Sequence, residues 1–449
     1  MGASKRLVVI GGVAAGMSAA SKARRTDPEM EILVYEKSGF VSYGACGLPY
    51  YVQGIIEDHH TLIARTPKQF ARQGIQVHLH HEVTEIDPES RRVRVRDLDA
   101  GREFEIEYDR LVLTTGGNAA RPPIPGIDRE GVFTLRRVED GIALRRFVEG
   151  RSPKRAVIVG GGYIGLEMAE AFTARGLEVT VVEMLPQLVP NLDAEMASLV
   201  REELERNGVR VLLEHRVEKI GGGERVEAVI ASGEEVPADL VLVAVGVRPN
   251  VDLARRAGID LGPTGAVAVD DHQRTNLEGI FAAGDVAEAR HIVTGKPVYI
   301  PLGTTANKQG RVAGENAAGG DAVFHGVAGT AVAKVFGLEV ARTGLTERQA
   351  REEGLEPLST TVKASSQAHY YPGGGPLHVR LVFQKDGRLL GAQIVGKGAA
   401  KRIDVVAAAL QAGWGVRDLQ RLDLSYAPPF APVWDPILVA ANVAGKAIR

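Results

Sequence analysis

An α/β fold class is predicted by three observations. Two glycine-rich runs, Gly11-Gly12-Val13-Ala14-Ala15-Gly16 and Gly160-Gly161-Gly162-Tyr163-Ile164-Gly165, each follow a short apolar strand and open a helix. Each run is answered by an acid, Glu36 or Glu183, that closes the next strand. Beyond about residue 325 the pattern changes to alternating strands and one helix of small residues. Strand, glycine turn, helix, strand and acid together make the Rossmann-like dinucleotide-binding pattern, here present twice and followed by an α+β region.

Composition narrows the class. A chain of 449 residues exceeds what one hydrophobic core serves, so two or three domains are expected. Net charge is −2, which supplies no basic field for nucleic acid. No apolar run reaches the length of a membrane span. Leu7-Val8-Val9-Ile10 is too short, and too soon followed by Gly11-Gly12, to be a signal peptide. One cysteine, Cys46, fits a reducing compartment, so a cytoplasmic enzyme is expected.

Lys5 to Ile10 reads as a buried parallel strand. Gly11 supplies the tight turn, and Gly16 lets helix and strand approach. Glu36 is placed to accept from a ribose hydroxyl. Val13 occupies the position where the fingerprint has its middle glycine. Residues 76–115 read as an antiparallel patch built from Gln76–Leu79, Arg91–Val95 and Phe104–Ile106. His78, His80 and His81 fall in it; without a second ligand cluster they read as solvated strand histidines rather than a metal site, and no metal is expected. The Pro-rich run Arg121–Gly126 suits a crossing between domains.

The second fingerprint, after Arg155–Val159, has the full glycine spacing at Gly160, Gly162 and Gly165. Glu183 favours NADH, because a carboxylate repels a 2′-phosphate and no arginine follows it. Two such folds imply two dinucleotides with electrons passing between them. Thr275–Asp285 is then a strand ending in Gly284-Asp285, where an Asp can reach the sugar alcohol of a flavin. A long helix starts in Pro301–Arg311. His378–Phe383 and Leu389–Val395 form a hairpin about Asp386-Gly387, and a helix runs from about Ala399 to Ala412. The aromatic, Pro-rich Tyr426–Trp434 suits contact with a second subunit.

With both fingerprints, Thr275–Asp285 and the lone Cys46, the whole chain resembles the flavin-dependent pyridine nucleotide–disulfide oxidoreductases. The resemblance implies an FAD-binding part at 1–118, an NAD(P)H-binding domain at 119–244, a second FAD part at 245–325 and a dimerisation domain at 326–449. For FAD it implies Gly11, Gly12, Ala14, Ala15, Gly16, Glu36 and Lys37 in the first unit. Thr115, Gly116, Gly284, Asp285, Pro301, Leu302, Thr304 and Thr305 complete that set. For NADH, with NADPH possible, it implies Gly160, Gly162, Ile164, Gly165, Glu183 and Gly246. Tyr163 falls where the family shields the flavin, and Glu167 where a glutamate lies near the nicotinamide; both also read as ordinary first-turn residues.

Better-known members carry two redox cysteines, whereas positions 47–51 are Gly, Leu, Pro, Tyr and Tyr. Ser42-x-x-x-Cys46-Gly47-x-Pro49-Tyr50 is similar to the motif of the single-cysteine branch: coenzyme A-disulfide reductases, NADH oxidases and peroxidases, and persulfide reductases. Apart from the resemblance, Cys46 reads as a small buried apolar residue. Oxidases and peroxidases place a histidine where this chain has Ala14. Tyr370 and Tyr426 match the tyrosines that coenzyme A-disulfide reductases bring from the partner subunit of a homodimer; they also read as an interface packing patch.

The resemblance thus implies reduction of coenzyme A disulfide by NAD(P)H through a Cys46–coenzyme A mixed disulfide, with Cys46, Tyr426 and Tyr370 as catalytic residues. The flavin ring and nearby dipoles are expected to lower the Cys46 pKa. Ser18, Lys22, Arg25, Ser42, Arg72 and Asn307 are the candidate coenzyme A contacts, with Lys22 and Arg25 equally suited to a solvated helix face. Ala45 and Trp434 depart from some members of the coenzyme A branch, which have an Asn and a Lys there. With the sequence ending at Arg449, the rhodanese-like segment common in persulfide reductases is not expected. Rival expectations are sulfenic-acid chemistry on oxygen or peroxide, persulfide or polysulfide reduction, and electron transfer to a protein partner.

Overall fold

The computed structural model describes residues 5–448. The first unit opens with β1 (Arg6–Ile10), α1 (Ala14–Thr26) and β2 (Glu31–Tyr35), followed by α2 (Leu48–Gln53), α3 (Pro67–Ala71) and β3 (Ile75–His78). A three-stranded antiparallel sheet follows: β4 (His81–Asp87), β5 (Arg92–Asp97) and β6 (Arg102–Glu107). β7 (Arg110–Leu113) returns to the first sheet and β8 (Gly117–Ala119) leaves it.

The second unit contains β9 (Val132–Phe133), α4 (Val138–Arg151), β10 (Arg155–Val159), α5 (Tyr163–Ala174), β11 (Glu178–Val182), α6 (Ala194–Arg206) and β12 (Arg210–Leu212). Its antiparallel sheet is β13 (Val217–Gly221), β14 (Ala228–Ala231) and β15 (Glu234–Pro237), and β16 (Leu240–Val243) closes the parallel one. β17 (Val247–Pro249) pairs antiparallel with β8, so the chain crosses out beside where it crossed in. After α7 (Asp252–Arg256), β18 (Ile280–Ala282) rejoins the first sheet, whose order is β18-β7-β1-β2-β3. A short pair, β19 (Ala289–Arg290) and β20 (Pro297–Val298), precedes α8 (Gly303–Ala317).

Both parallel sheets are covered on two faces, which explains their near-continuous apolar strands. Leu7 and Val9 face α1 and α8, while Val8 and Ile10 face the β4–β6 side. In the second unit Ala156 and Ile158 face the helices, while Val157 and Val159 face β13–β15. α1 and α8 touch through their backbones. A Cβ on Gly310 would lie 2.2 Å from Ala15 O, and one on Gly314 2.1 Å from Ala19 O.

Two sequence expectations are corrected here. Residues 75–78 are not part of the antiparallel patch; β3 is the parallel edge of the first sheet, in register with β2. An edge strand with one exposed face alternates like a hairpin strand, so the pattern could not separate the two. Nor do the three histidines share a strand. His78 stacks on Tyr35, His80 turns with φ +56° toward Asp99, and His81 Nδ1 lies 2.7 Å from Leu79 O.

The C-terminal domain is an antiparallel sheet of order β21-β22-β25-β24-β23. It comprises β21 (Ala331–Val335), β22 (Leu338–Gly344), α9 (Glu347–Glu352), β23 (Leu358–Ser365), β24 (Pro376–Phe383) and β25 (Leu389–Gly396). α10 (Ala399–Gln411), α11 (Val416–Leu419) and α12 (Pro436–Ala444) complete it, with Ile403, Val406, Ile437 and Ala441 buried in its core. Gly387 takes φ +90° in the β24–β25 turn, as the Asp-Gly pair predicts. Arg380 pins this domain to the second unit by pairing with Asp193 at 3.0 Å, and it also pairs with Glu195 and Glu347. Among the described residues no helix is long and apolar enough to cross a membrane.

Candidate active site

Each glycine loop is a cradle that only glycine fits. Gly11 and Gly160 take φ +101° and +109°. A Cβ there would lie 2.2 Å from Thr114 O and 2.5 Å from Ala244 O. A Cβ on Gly16 would lie 1.8 Å from Gly11 O, and one on Gly165 2.2 Å from Gly160 O. The acids behave alike too. Glu36 accepts from Gly12 N at 2.7 Å and Ser38 N at 2.8 Å, and Glu183 from Gly161 N at 2.7 Å and Leu185 N at 2.9 Å. Each carboxylate thereby fixes the loop opposite it and keeps lone pairs free for a sugar hydroxyl.

The remaining residues expected at the first loop gather at the ends of its sheet. Ala14 and Ala15 start α1, and Lys37 points outward toward Glu82 at 4.0 Å. Thr115 donates to Asn250 O at 2.8 Å, and Gly116 takes φ +68°. Gly284 N donates to the buried Gln309 at 3.0 Å. Asp285 beside it is held by Arg136, which enters from the loop before α4. Thr305 is buried in α8.

The Cys46 turn is placed by packing on the second unit. Ala45–Gly47 forms one 3₁₀ turn, which α2 continues with Pro49 in its first turn and Gly54 at φ +97° as its stop. Leu48, Tyr51 and Val52 of α2 are buried with Leu144 of α4 and with Leu166 and Met168 of α5. Each such apolar side chain anchors the turn by roughly 1.5–3 kcal/mol. Cys46 thereby faces a cavity of about 1510 Å³ that it shares with Tyr50, Arg136, Tyr163, Glu167 and Tyr299.

Gly162, Ile164, Gly246, Pro301, Leu302, Thr304 and Asn307 also line this cavity, and the first glycine loop does not. Sequence reading thus brought both cysteine and second loop to one space. It missed Tyr50, Arg136 and Tyr299, and also Lys308 and Arg311 of α8 and Arg342 of β22. Tyr50 stands in the Cys46 motif but was given no role, and the others stand in no motif; only tertiary packing collects them.

The Cys46 side chain is exposed, not buried as an apolar packing residue, yet desolvation by the cavity walls pushes its thiol up from its ordinary value, and the neighbouring Glu167 adds to the rise; Arg136 opposes both. The protein groups around the sulfur therefore do not lower its pKa. Glu167 itself is pushed up to about 7 by burial, with Glu170 adding and a hydrogen bond from Tyr50 opposing. Near neutrality this carboxyl is part protonated, which limits its repulsion of a thiolate.

The expected substrate contacts are only partly assembled. Ser18 donates to Asn307 at 2.7 Å across the α1–α8 seam, and Lys22 is committed to Glu315 at 2.9 Å. Arg25 and Arg72 are exposed, and Ser42 sits at φ +51° with its N–H on Gly12 O. Tyr370 and Tyr426 meet hydroxyl to hydroxyl at 2.9 Å on the outer face of the C-terminal domain. Neither lines the Cys46 cavity of its own chain. Phe430, Val433 and Trp434 are exposed beside them in sequence.

Comparison with known proteins agrees with this architecture. Residues 5–310 match the family described as pyridine nucleotide-disulphide oxidoreductase, and residues 330–436 match its dimerisation domain. The chain is 43% identical over 442 residues to the NAD(P)H coenzyme A polysulfide/persulfide reductase of Pyrococcus horikoshii, covering 98% of each. It is 39% identical to the NADH oxidase of Methanocaldococcus jannaschii, covering 98% of this chain and 99% of that one. It is 33% identical to the coenzyme A disulfide reductase of Staphylococcus epidermidis, covering 95% and 96%. A solved NAD-dependent persulfide reductase from A. fulgidus superposes with a TM-score of 0.95 at 44% identity, covering 98% of this chain and 83% of that one.

Proposed function

The chain belongs to the pyridine nucleotide-disulphide oxidoreductase family, and we propose that it uses NAD(P)H to reduce a sulfur–sulfur bond carried by coenzyme A, through Cys46. The observation that carries this reading is one cavity holding Cys46 on one wall and the second glycine loop on another. Cys46 is the one cysteine of the sequence, so the oxidised sulfur it meets comes from outside the chain.

FAD and NAD(P)H are the cofactors of this family. The first cradle fits FAD, since Gly11, Gly12 and Gly16 leave the backbone bare, Glu36 presents acceptor oxygens and Asp285 lies in the turn after β18 of the same sheet. Thr115, Thr304 and Arg136 complete the shell. When bound, FAD supplies the two-electron link between the dinucleotide and the sulfur. The second cradle, with Glu183 and Gly246, suits NADH over NADPH.

The chain's own residues do the rest. The Cys46 thiolate attacks a disulfide R–S–S–R, forming Cys46–S–S–R and expelling one thiolate. Two electrons then restore the Cys46 thiolate and release the second. Arg136 is the cation that offsets the cost of the Cys46 charge. The partner subunit's Tyr426, with the partner's Tyr370 in support, protonates the expelled thiolate. The exposed tyrosine pair and the dimerisation domain support that role in a homodimer. Ser18, Lys22, Arg25, Ser42, Arg72 and Asn307 are proposed to hold the coenzyme A portion.

A second reading, that the acceptor is coenzyme A persulfide, is favoured by the names of the relatives at 43% and 44% identity. Ala14 argues against an oxidase or peroxidase as the main activity. The test is the intact mass of the protein as isolated, followed by turnover on each acceptor. An adduct with the mass of coenzyme A, lost on reduction, supports the disulfide reading. Faster turnover of the persulfide transfers the assignment to the second. An oxygenated sulfur without an adduct contradicts both.

A further inference from the structure

Arg342 lies on β22, between Ala331 of β21 and Gln393 of β25. It is 8% exposed and lines the same cavity as Tyr163. One guanidinium nitrogen donates to Gly344 O, while Nε is buried without a hydrogen-bond partner. No carboxylate among the described residues pairs with it. Asp193, which acts on it electrostatically, is taken by Arg380 and Gln393. Tyr163, the first residue of α5, likewise has a buried hydroxyl with no partner.

Two unpaired polar atoms in one wall are costly. Each carries a desolvation penalty, and a buried cation without a counter-ion carries a larger one. Packing alone is served better by an apolar residue at position 342. The arrangement is accounted for if a ligand supplies acceptor oxygens once Tyr163 moves. A guanidinium suits phosphate and amide oxygens, because its fork donates two bonds in one plane. Lys334, the nearby cation on β21, is already paired with Glu170.

Resting on the reading that the second loop receives NAD(P)H, we propose that Arg342 is the buried cation that binds an oxygen of the incoming dinucleotide, and that Tyr163 covers it beforehand. Arg342 is thus a binding residue contributed by the C-terminal domain to a site built on the second unit. It couples docking of the dinucleotide to displacement of the tyrosine.

The test measures NAD⁺ and ADP-ribose affinity on the flavin-loaded enzyme, without turnover. R342Q is expected to weaken NAD⁺ about tenfold, and R342K to recover binding to within about threefold, since a tenfold loss is about 1.4 kcal/mol, within reach of one charged hydrogen bond. Re-oxidation of chemically reduced enzyme by a disulfide stays at the wild-type rate. Weakened ADP-ribose identifies phosphate as the partner; an effect on NAD⁺ alone identifies the nicotinamide amide, and either supports the proposal. Wild-type NAD⁺ affinity in R342Q overturns it, as does a parallel fall in re-oxidation. If R342Q does not fold, Y163A decides: uncovering Arg342 tightens NAD⁺ about threefold on the same scale, and an unchanged affinity overturns the proposal. Failure of the wild type to bind NAD⁺ sinks the underlying reading instead.

Discussion

The two glycine loops share one local design and differ in what surrounds them. Both use a left-handed first glycine, a glycine pressed on the preceding carbonyl, and an acid that ties the loop down. Both parallel sheets carry helices on one face and three antiparallel strands on the other. Around the first loop, α8 lies against the α1 backbone, and Val41 stands where a Cβ on Gly12 would come within 2.8 Å. At the second, Leu188 stands as close, 2.4 Å from a Cβ on the matching Gly161, but Gly162 and Ile164 line the large cavity, which no residue of the first loop lines. One fingerprint thus builds a closed cradle and an open one. The closed cradle suits a cofactor that stays, and the open one a substrate that comes and goes.

Alanine at the paired glycines tests this division with the largest expected effects. G11A and G16A force a Cβ against backbone and are expected to yield protein that lacks flavin or does not fold, because a close-packed backbone cannot yield. G160A and G165A meet the same kind of backbone clash, but in the second unit, so they should lose NADH binding and retain more flavin than the first pair, read as flavin absorbance per protein and as flavin reduction under NADH. Equal flavin loss in the second pair would erase the distinction between the two units.

Next in size is the acid. E183R replaces a charge that repels a 2′-phosphate with one that binds it. Preference should move toward NADPH by roughly a hundredfold in kcat/KM, about 2.7 kcal/mol. E36R should instead reduce flavin retention and leave dinucleotide preference among loaded molecules unchanged.

Glu167 gives a pH test on the wall between the loops. Its folded pKa of about 7 exceeds the ordinary 4.5. The folded state therefore holds a proton that the unfolded chain has released. Stability from this group is full below pH 4.5 and is lost as pH rises through about 7. E167Q should flatten that fall, by about 3 kcal/mol in chemical denaturation across the window. The same variant should ease Cys46 ionisation, because Glu167 is second only to burial in raising the thiol. An unchanged alkylation profile of Cys46 would contradict the coupling. The smallest effect is expected for G162A, whose Cβ meets no protein atom within 4 Å but would enter the space proposed for the dinucleotide; NADH KM should rise about tenfold, about 1.4 kcal/mol, with flavin content unchanged.

The glycine loops were legible in the sequence because their constraint is local: a positive φ and a bare backbone leave glycine no substitute. The acids were legible for the same reason, since strand length sets their position. β3 was misread because alternation reports one exposed face and says nothing of strand direction. The walls of the cavity were hidden for a different reason. Ser18 and Asn307 meet although 289 residues separate them, and Lys22 is spent on Glu315 in the same seam. Arg136 and Arg342 carry no motif; their meaning comes from a buried environment assembled by three parts of the chain. The rise in the Cys46 pKa was likewise invisible, because it depends on burial and on Glu167 of another unit.

The central claim is that Cys46 carries the reaction out of the closed cradle to an external sulfur. Its most direct test is C46S, measured for flavin reduction by NADH and for NADH-driven reduction of coenzyme A disulfide. The account predicts flavin reduction near the wild-type rate and disulfide reduction lowered at least about a thousandfold, some 4 kcal/mol of transition-state stabilisation. Full disulfide turnover by C46S would contradict it.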